Sequence, residues 1–148
     1  MKKLITLVLL VLSIETAQSA DIKNLILPSN AFGAGWELTQ PNIIGSSAAP
    51  NYINRTLPKS PIISIQIISF PSEANAKERL EKKMGSAGYK EHVKKVSEDP
   101  IAYEQDAEGL KRRYVLIKNY WLTVDQVGDR DDRADFIQKY TEHIKKNG

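Results

Sequence analysis

The sequence predicts an α+β domain in which a mostly antiparallel β-sheet is covered on one face by two α-helices. Three observations predict this class. Strand-like stretches alternate apolar with polar residues, helical spacing of apolar residues appears in the middle of the chain and again near its end, and short turns separate the later strands. The 148 residues, 41% apolar and 26% charged, suit one soluble domain.

Residues 1–20 have the order of a secretory signal peptide. They begin with a methionine and two lysines, continue with an apolar run over residues 4–14, and end with small and polar residues. The apolar run is shorter than the roughly 20 residues that a membrane span needs, and no second such run follows. We therefore expect cleavage after Ser19 or Ala20, which leaves residues 21–148 as one exported domain without a transmembrane segment, in the periplasm or outside the cell.

Composition excludes several classes of site and partner. The chain has no cysteine, so it can form neither a disulfide nor a thiolate metal site, and an exported domain must be held together by its core alone. Removing residues 1–20 reduces the 21 basic and 18 acidic side chains to 19 and 17. A balance this even does not predict nucleic-acid binding.

The first half of the mature chain contains one clear strand and one long irregular stretch. Closely spaced glycines allow a tight turn that places Trp36 at the start of a strand over residues 36–40. Residues 41–61 are rich in Pro, Asn, Gly and Ser, and they either form a functional flap or hide a strand around residues 52–56. Residues 61–70 alternate isoleucines with Ser and Gln, which predicts a strand.

The second half begins with a helix and continues with strands. Ser72 is a good N-cap for a helix over residues 73–84, whose apolar residues recur every fourth position and form one narrow stripe. Residues 89–96 form a charged, edge-like strand. Residues 101–127 contain three alternating stretches separated by short turns, and this pattern predicts a three-stranded antiparallel meander.

Five aspartates crowd the turn before a last helix that runs to about Lys146. Closely spaced carboxylates suit a hard cation such as calcium, but the spacing lacks the glycine and the closing glutamate of an EF-hand. Capping of the helix by Asp131 or Asp132, together with a solvated loop, explains the same residues. We therefore predict no metal and no cofactor. The aspartates are Asp125, Asp129, Asp131, Asp132 and Asp135.

No catalytic constellation is recognisable in the sequence. It contains no Gly-x-Ser-x-Gly motif, no Ser-x-x-Lys motif and no phosphate-binding loop. His92 is expected to face solvent, and His143 to lie at the margin of the last helix's apolar stripe; no His-Glu-x-x-His motif joins them. Paired carboxylates, such as Glu104 with Asp106 or Glu108, are the remaining route to acid-base chemistry.

Basic residues concentrate in two stretches. Residues 77–95 carry seven lysines and arginines against three glutamates, and residues 111–113 add three more on a neighbouring element. If the two stretches converge, they make a patch that can meet an anionic lipid, a polysaccharide or an acidic protein. A solubilising helix face explains the same lysines, and we favour that interpretation.

Trp121 alternates with Leu122 along the last predicted strand, so the two side chains point to opposite faces. If the helices cover the Leu122 face, Trp121 lies on the open face and marks a ligand or partner surface. If residues 41–61 fold over that face, Trp121 belongs to the core, which is the interpretation we favour. The candidate partner surface comprises Trp121, Tyr52, Lys82, Lys83, Arg112 and Arg113.

The leading expectation is a small exported, non-catalytic binding domain, whose partner is an envelope protein or an anionic surface ligand. It depends on the signal peptide, the size of the mature chain and the lack of a recognised catalytic motif. Two alternatives stay open. One is a carboxylate-based hydrolase of the cell envelope. The other is an anionic lipid or polysaccharide binder that uses the lysine-rich helix.

Overall fold

The computed structural model describes residues 22–107 and 109–148. The predicted signal peptide and Glu108 lie outside the described residues. In the described part of the chain, one mostly antiparallel sheet is combined with helices, so the predicted α+β class is confirmed. None of the helices in these two ranges has both the length and the apolar character that a membrane crossing requires.

Nine strands and two long helices make up most of the described fold, together with helical residues at 22–24 and a 3₁₀ turn at Ser29–Phe32. The strands are β1 (Trp36–Leu38), β2 (Asn42–Ile44), β3 (Ser47–Ala49), β4 (Asn51–Asn54), β5 (Ile62–Ser69), β6 (Val93–Glu98), β7 (Ile101–Ala107), β8 (Leu110–Ile117) and β9 (Tyr120–Val127). The helices are α1 (Glu73–Met84) and α2 (Arg133–Asn147).

The sheet has the order β1-β4-β5-β9-β8-β7-β6, with β3 also pairing along β5 and β2 pairing with β3. The predicted meander forms β7, β8 and β9. It joins the first half of the chain through β5 and β9, which pair over seven positions from Ile63 and Gln126 to Ser69 and Tyr120. The centre of the sheet is therefore made from strands that are far apart in sequence.

Local sequence patterns predict β5 and α1 well. The strand predicted over residues 61–70 is Ile62–Ser69, and the helix predicted over 73–84 is Glu73–Met84. The Ser72 side chain accepts a hydrogen bond from the Asn75 N–H at 3.1 Å, as its N-cap position requires.

Two other predicted elements differ at least in part from the structure. Residues 41–61 do not form an open flap; β4 corresponds to the strand expected around residues 52–56, and β2 and β3 are two further short strands. The strand expected from residue 89 begins only at Val93, because residues 86–92 form turns in which the Tyr89 carbonyl accepts from both the His92 and Val93 N–H groups.

The two helices lie on opposite faces of the sheet, which corrects the expectation that both cover one face. α2 packs on the face that carries Ile65 and Leu122, whereas α1 packs on the face that carries Leu116 and Trp121. The reason lies in β9, where the five residues from Tyr120 to Val124 are all buried. Successive strand residues point to opposite faces, so such a strand needs cover on both sides.

The α2 face is closed by aromatic side chains. The rings of Phe32 and Phe136 stack at 3.8 Å between centroids, and Tyr52 and Tyr140 are fully buried beside them. The two tyrosine hydroxyls are hydrogen-bonded to each other, and Tyr52 donates to the Leu27 carbonyl at 2.6 Å. Burial raises the pKa of Tyr140 to about 12 and that of Tyr52 further. This network attaches the N-terminal segment to the core.

Candidate functional site

A groove of about 730 Å³ runs between α1 and the sheet. Its apolar side consists of sheet residues, and its helical side carries most of its charge. We call it the α1 groove and define it by Ile68, Phe70, Trp121, Arg79, Lys82 and Lys83. It is of the size that small-molecule sites occupy, about 300 to 1,000 Å³.

The helix geometry explains why the cations face this groove. Ala76, Leu80 and Met84 are four residues apart and are all buried against the sheet. Arg79 and Lys83 are also four residues apart, so they share one flank of α1 beside the buried stripe. That flank forms the wall of the α1 groove.

Lys83 is the centre of the site. Its Nζ lies 5.2 Å from the ring centroid of Tyr89, 5.3 Å from that of Tyr114 and 5.7 Å from that of Trp121. Aromatic faces attract a cation through their quadrupole but do not neutralise its charge. Among residues 22–107 and 109–148, no carboxylate lies within ion-pair distance of this ammonium group. Its charge is therefore available to an anion in the groove.

Trp121 lies beneath α1 and belongs to the core, which is the interpretation favoured from the sequence. The residue is only 8% exposed, and its Nε1 donates a 2.7 Å hydrogen bond to the Ala76 carbonyl. The Phe70 ring packs 4.7 Å from it. The face was expected to be open or covered by residues 41–61, but α1 covers it instead. Trp121 thus anchors the helix and contributes only part of its surface to the groove.

Arg112 lies on the same face but carries a neutralised charge. Its Nε donates to Asp125 Oδ1 at 2.6 Å, its Nη2 to Oδ2 at 2.5 Å, and its Nη1 to the Tyr114 hydroxyl at 3.3 Å. The hydrogen bonds to Asp125 raise the pKa of Arg112. The pair therefore supplies fixed polar groups rather than a free positive charge.

A second, smaller cavity of about 240 Å³ lies beside the α1 groove. We call it the sheet hollow. Lys83 lines both cavities. The sheet hollow is also lined by Asn51, Ser64, Gln66, Thr123, Arg112 and Asp125.

Two residues of the predicted partner surface lie elsewhere. Tyr52 is fully buried under α2. Arg113 points to the face opposite that of Arg112, since neighbouring strand residues alternate, and it is hydrogen-bonded to Glu104. The structure thus brings together Trp121, Lys82, Lys83 and Arg112 and separates Tyr52 and Arg113 from them.

The aspartates near α2 are engaged with basic side chains. The pairs are Asp125 with Arg112, Asp129 with Lys59, Asp131 with Arg133, Asp132 with Arg130, and Asp135 with Lys139. The Arg133 guanidinium lowers the pKa of Asp131 to about 2, chiefly through its hydrogen bonds. Within the part of the chain that the structure describes, no three His, Cys, Asp or Glu side chains are arranged to hold a metal.

The histidines and Glu104, the other residues considered for catalysis, are either exposed or hydrogen-bonded to neighbouring groups. His92 is exposed, and His143 is half-buried with its Nε2 3.1 Å from the Asn24 carbonyl oxygen. Glu104 accepts hydrogen bonds from both Arg113 and Arg133, so its oxygens are bound by guanidinium groups. Of its two predicted acid-base partners, Asp106 is exposed, and Glu108 lies outside the described residues.

The sequence patterns do not single out three groups that help form the site: Arg79, Phe70 and the polar residues of the sheet hollow. Helical spacing from Lys83 identifies Arg79 once the groove is known, and strand alternation places Gln66 and Thr123 on the Trp121 face.

The fold and the groove together define a class: an α+β domain with a cationic groove between a helix and its sheet. No family model matches the chain, and neither a similar curated protein nor a similar solved structure was found.

Proposed function

We propose that the protein is an exported, non-catalytic binding domain that takes an anionic ligand into the α1 groove. Export rests on the predicted signal peptide. The observation that carries the proposal is the Lys83 ammonium group, which is held over three aromatic rings at the groove wall. A cation in this position attracts an anion, and the rings favour a ligand that also has an apolar or planar part.

The charge balance of the groove supports an anionic ligand. Arg79, Lys82 and Lys83 line it, and Glu78 is the acidic residue among its lining residues. A concave surface with one sign of charge concentrates ligands of the opposite sign. The floor of Ile68 and Phe70 is half-buried, which adds apolar contact below the charges.

A carboxylate-based hydrolase is less well supported. Such an enzyme needs two carboxyl groups that flank one bond, one of them in a setting that raises its pKa. The α1 groove has Glu78 as its acid, and Asp125 in the sheet hollow is bound by Arg112 through two hydrogen bonds. These side chains suit binding better than acid-base chemistry.

Retention on immobilised heparin at low salt tests the proposal. We expect the double variant Lys82→Glu and Lys83→Glu to elute at clearly lower salt than the wild type, because the charge of two of the three groove cations is reversed. Lys145→Glu with Lys146→Glu is the matched control, since each pair lies in the last turn of a helix. If both double variants lose retention equally, binding depends on net charge alone and the proposal is wrong.

A further inference from the structure

The sheet hollow holds several polar side chains whose hydrogen-bonding groups are not used by other residues that the structure describes. The side chains of Asn51, Ser64, Gln66 and Thr123 make no hydrogen bond to another residue in the described ranges. Thr123 is 8% exposed, Asn51 and Ser64 are half-buried, and Gln66 is exposed, so these side chains can reach a ligand in the hollow. Donors and acceptors that line one cavity without protein partners indicate a site for a ligand rich in donors and acceptors.

These groups form a regular array across three neighbouring strands. Ser64 pairs with Asp125 and Gln66 with Thr123 between β5 and β9, and Arg112 pairs with Asp125 between β9 and β8. Side chains on one face of adjacent strands lie close together. The array therefore presents hydroxyl, amide, guanidinium and carboxylate groups to one cavity.

The position of the array decides between classes of ligand. β5, β9 and β8 are interior strands whose backbone groups pair with their neighbours, so an extended peptide finds no free strand edge there. An acyl chain is equally unsuited, because it leaves these polar side chains without partners. A ligand with many hydroxyl groups uses the side chains that the hollow offers.

Lys83 joins this polar array to the cationic groove, because it lines both cavities. A ligand that spans them must carry a negative charge near Lys82 and Lys83 and hydroxyl groups over Gln66 and Thr123. We infer that the ligand is an acidic oligosaccharide, with a carboxylate in the α1 groove and the adjoining sugar in the sheet hollow. The inference rests on the proposed function and names its ligand class.

Tryptophan fluorescence provides the assay. The chain has two tryptophans, and Trp36→Phe leaves Trp121, which lies in the groove, as the single reporter. The probes are tetragalacturonate, a hyaluronan tetrasaccharide, fully methyl-esterified tetragalacturonate, tetraglutamate and phosphatidylglycerol vesicles. We expect at least one acidic tetrasaccharide to bind at least tenfold more tightly than the neutral ester, the peptide or the vesicles.

Variants in the same single-tryptophan background separate the two cavities. Lys83→Met removes the shared charge and is expected to weaken binding of the acidic tetrasaccharide at least tenfold. The double variant Thr123→Val and Gln66→Leu removes hydroxyl and amide groups from the hollow and is expected to weaken the same binding at least fivefold. Lys77→Met is the control, since Lys77 is an exposed lysine of α1 that does not line the groove.

The outcomes distinguish the inference from the proposed function. If tetraglutamate or the vesicles bind at least as tightly as the tetrasaccharides, and Lys83→Met weakens that binding, the groove binds anions but the saccharide inference is wrong. If the hollow variant binds the tetrasaccharide like wild type, the inference is also wrong. If no probe depends on Lys83, or none binds, both the inference and the proposed function are wrong.

Discussion

The two faces of the sheet differ in how they are covered and in whether their polar side chains are paired. The α2 face is sealed by stacked rings, and its buried hydroxyls are paired, as Tyr52 and Tyr140 show. The α1 face is covered by a shorter helix, and beside that helix it leaves Lys83 and Thr123 without polar partners in the described residues. The sealed α2 face supplies mainly stability, whereas the α1 face has a cavity lined by unpaired polar groups where a ligand can bind.

The largest effect is expected from the α2 face. Phe136→Ala removes a ring that stacks on Phe32 and lies 4.9 Å from Trp36. We expect it to lower the free energy of unfolding by about 3 to 5 kcal/mol, as truncation of a buried aromatic residue does. Urea denaturation measures the change. Ligand binding by the folded fraction is expected to stay as in wild type, and a selective loss of binding would contradict the division between the faces.

The next largest effect is expected from the α1 face. Leu80 is fully buried between α1 and the sheet, in the cluster that includes Trp121. Leu80→Ala is expected to cost about 2 to 4 kcal/mol in urea denaturation. Because Lys83 is carried by the same helix, we also expect weaker retention on heparin at temperatures where the variant is folded. Unchanged retention would show that the position of α1 does not define the groove.

A smaller effect is expected from pH. Arg133 lowers the pKa of Asp131 to about 2, so the ionised form is favoured in the folded state. The resulting stability is present above the ordinary pKa near 4 and is lost as the pH falls towards 2. The Asp131 side chain is 45% exposed, so after screening we expect about 1 kcal/mol or less.

Asp131→Asn tests this by thermal melting between pH 5 and 2. It should flatten the acid side of the stability profile, whereas Asp129→Asn, whose carboxylate is 95% exposed, should leave the profile unchanged. An identical loss of stability in wild type and in Asp131→Asn over this range would refute the assignment.

Lys83 is the residue whose substitution is expected to change stability least and ligand binding most. Lys83→Met keeps an apolar stem of similar length and loses contacts between a cation and aromatic rings, which are worth about 0.5 to 1 kcal/mol at exposed sites. Thermal melting should therefore show a change of 1 kcal/mol or less, since methionine fills the same space. A loss above about 2 kcal/mol would mean that Lys83 is mainly structural.

Elements that depend on local signals are predictable from the sequence, and those that depend on distant partners are not. α1 follows from its N-cap Ser72 and its four-residue apolar spacing. The strands β2, β3 and β4 have only three or four residues and include no long alternation; β3 and β4 form because they pair along β5. The side of the sheet on which each helix packs is likewise set by tertiary contacts, because an apolar stripe does not say which face it covers.

The candidate site shows the same division. Lys82, Lys83, Arg112 and Trp121 are selected from composition and strand alternation, and the structure places them on one face. Arg113 does not share a surface with Arg112, because adjacent strand residues point to opposite faces. Tyr52 lies in a stretch with the composition of a loop, and only its pairing with Ile63 on β5 shows that it belongs to the core.

The central position of β9 has a consequence for the order of folding. The ribosome makes β5 long before β9, yet these two strands pair at the centre of the sheet. Until residues 120–127 emerge, β5 lacks that partner, and the meander has nothing to join it to the first half of the chain. Pairings that are distant in sequence form slowly. If the predicted signal peptide directs export, such late closure would keep the nascent chain open for translocation.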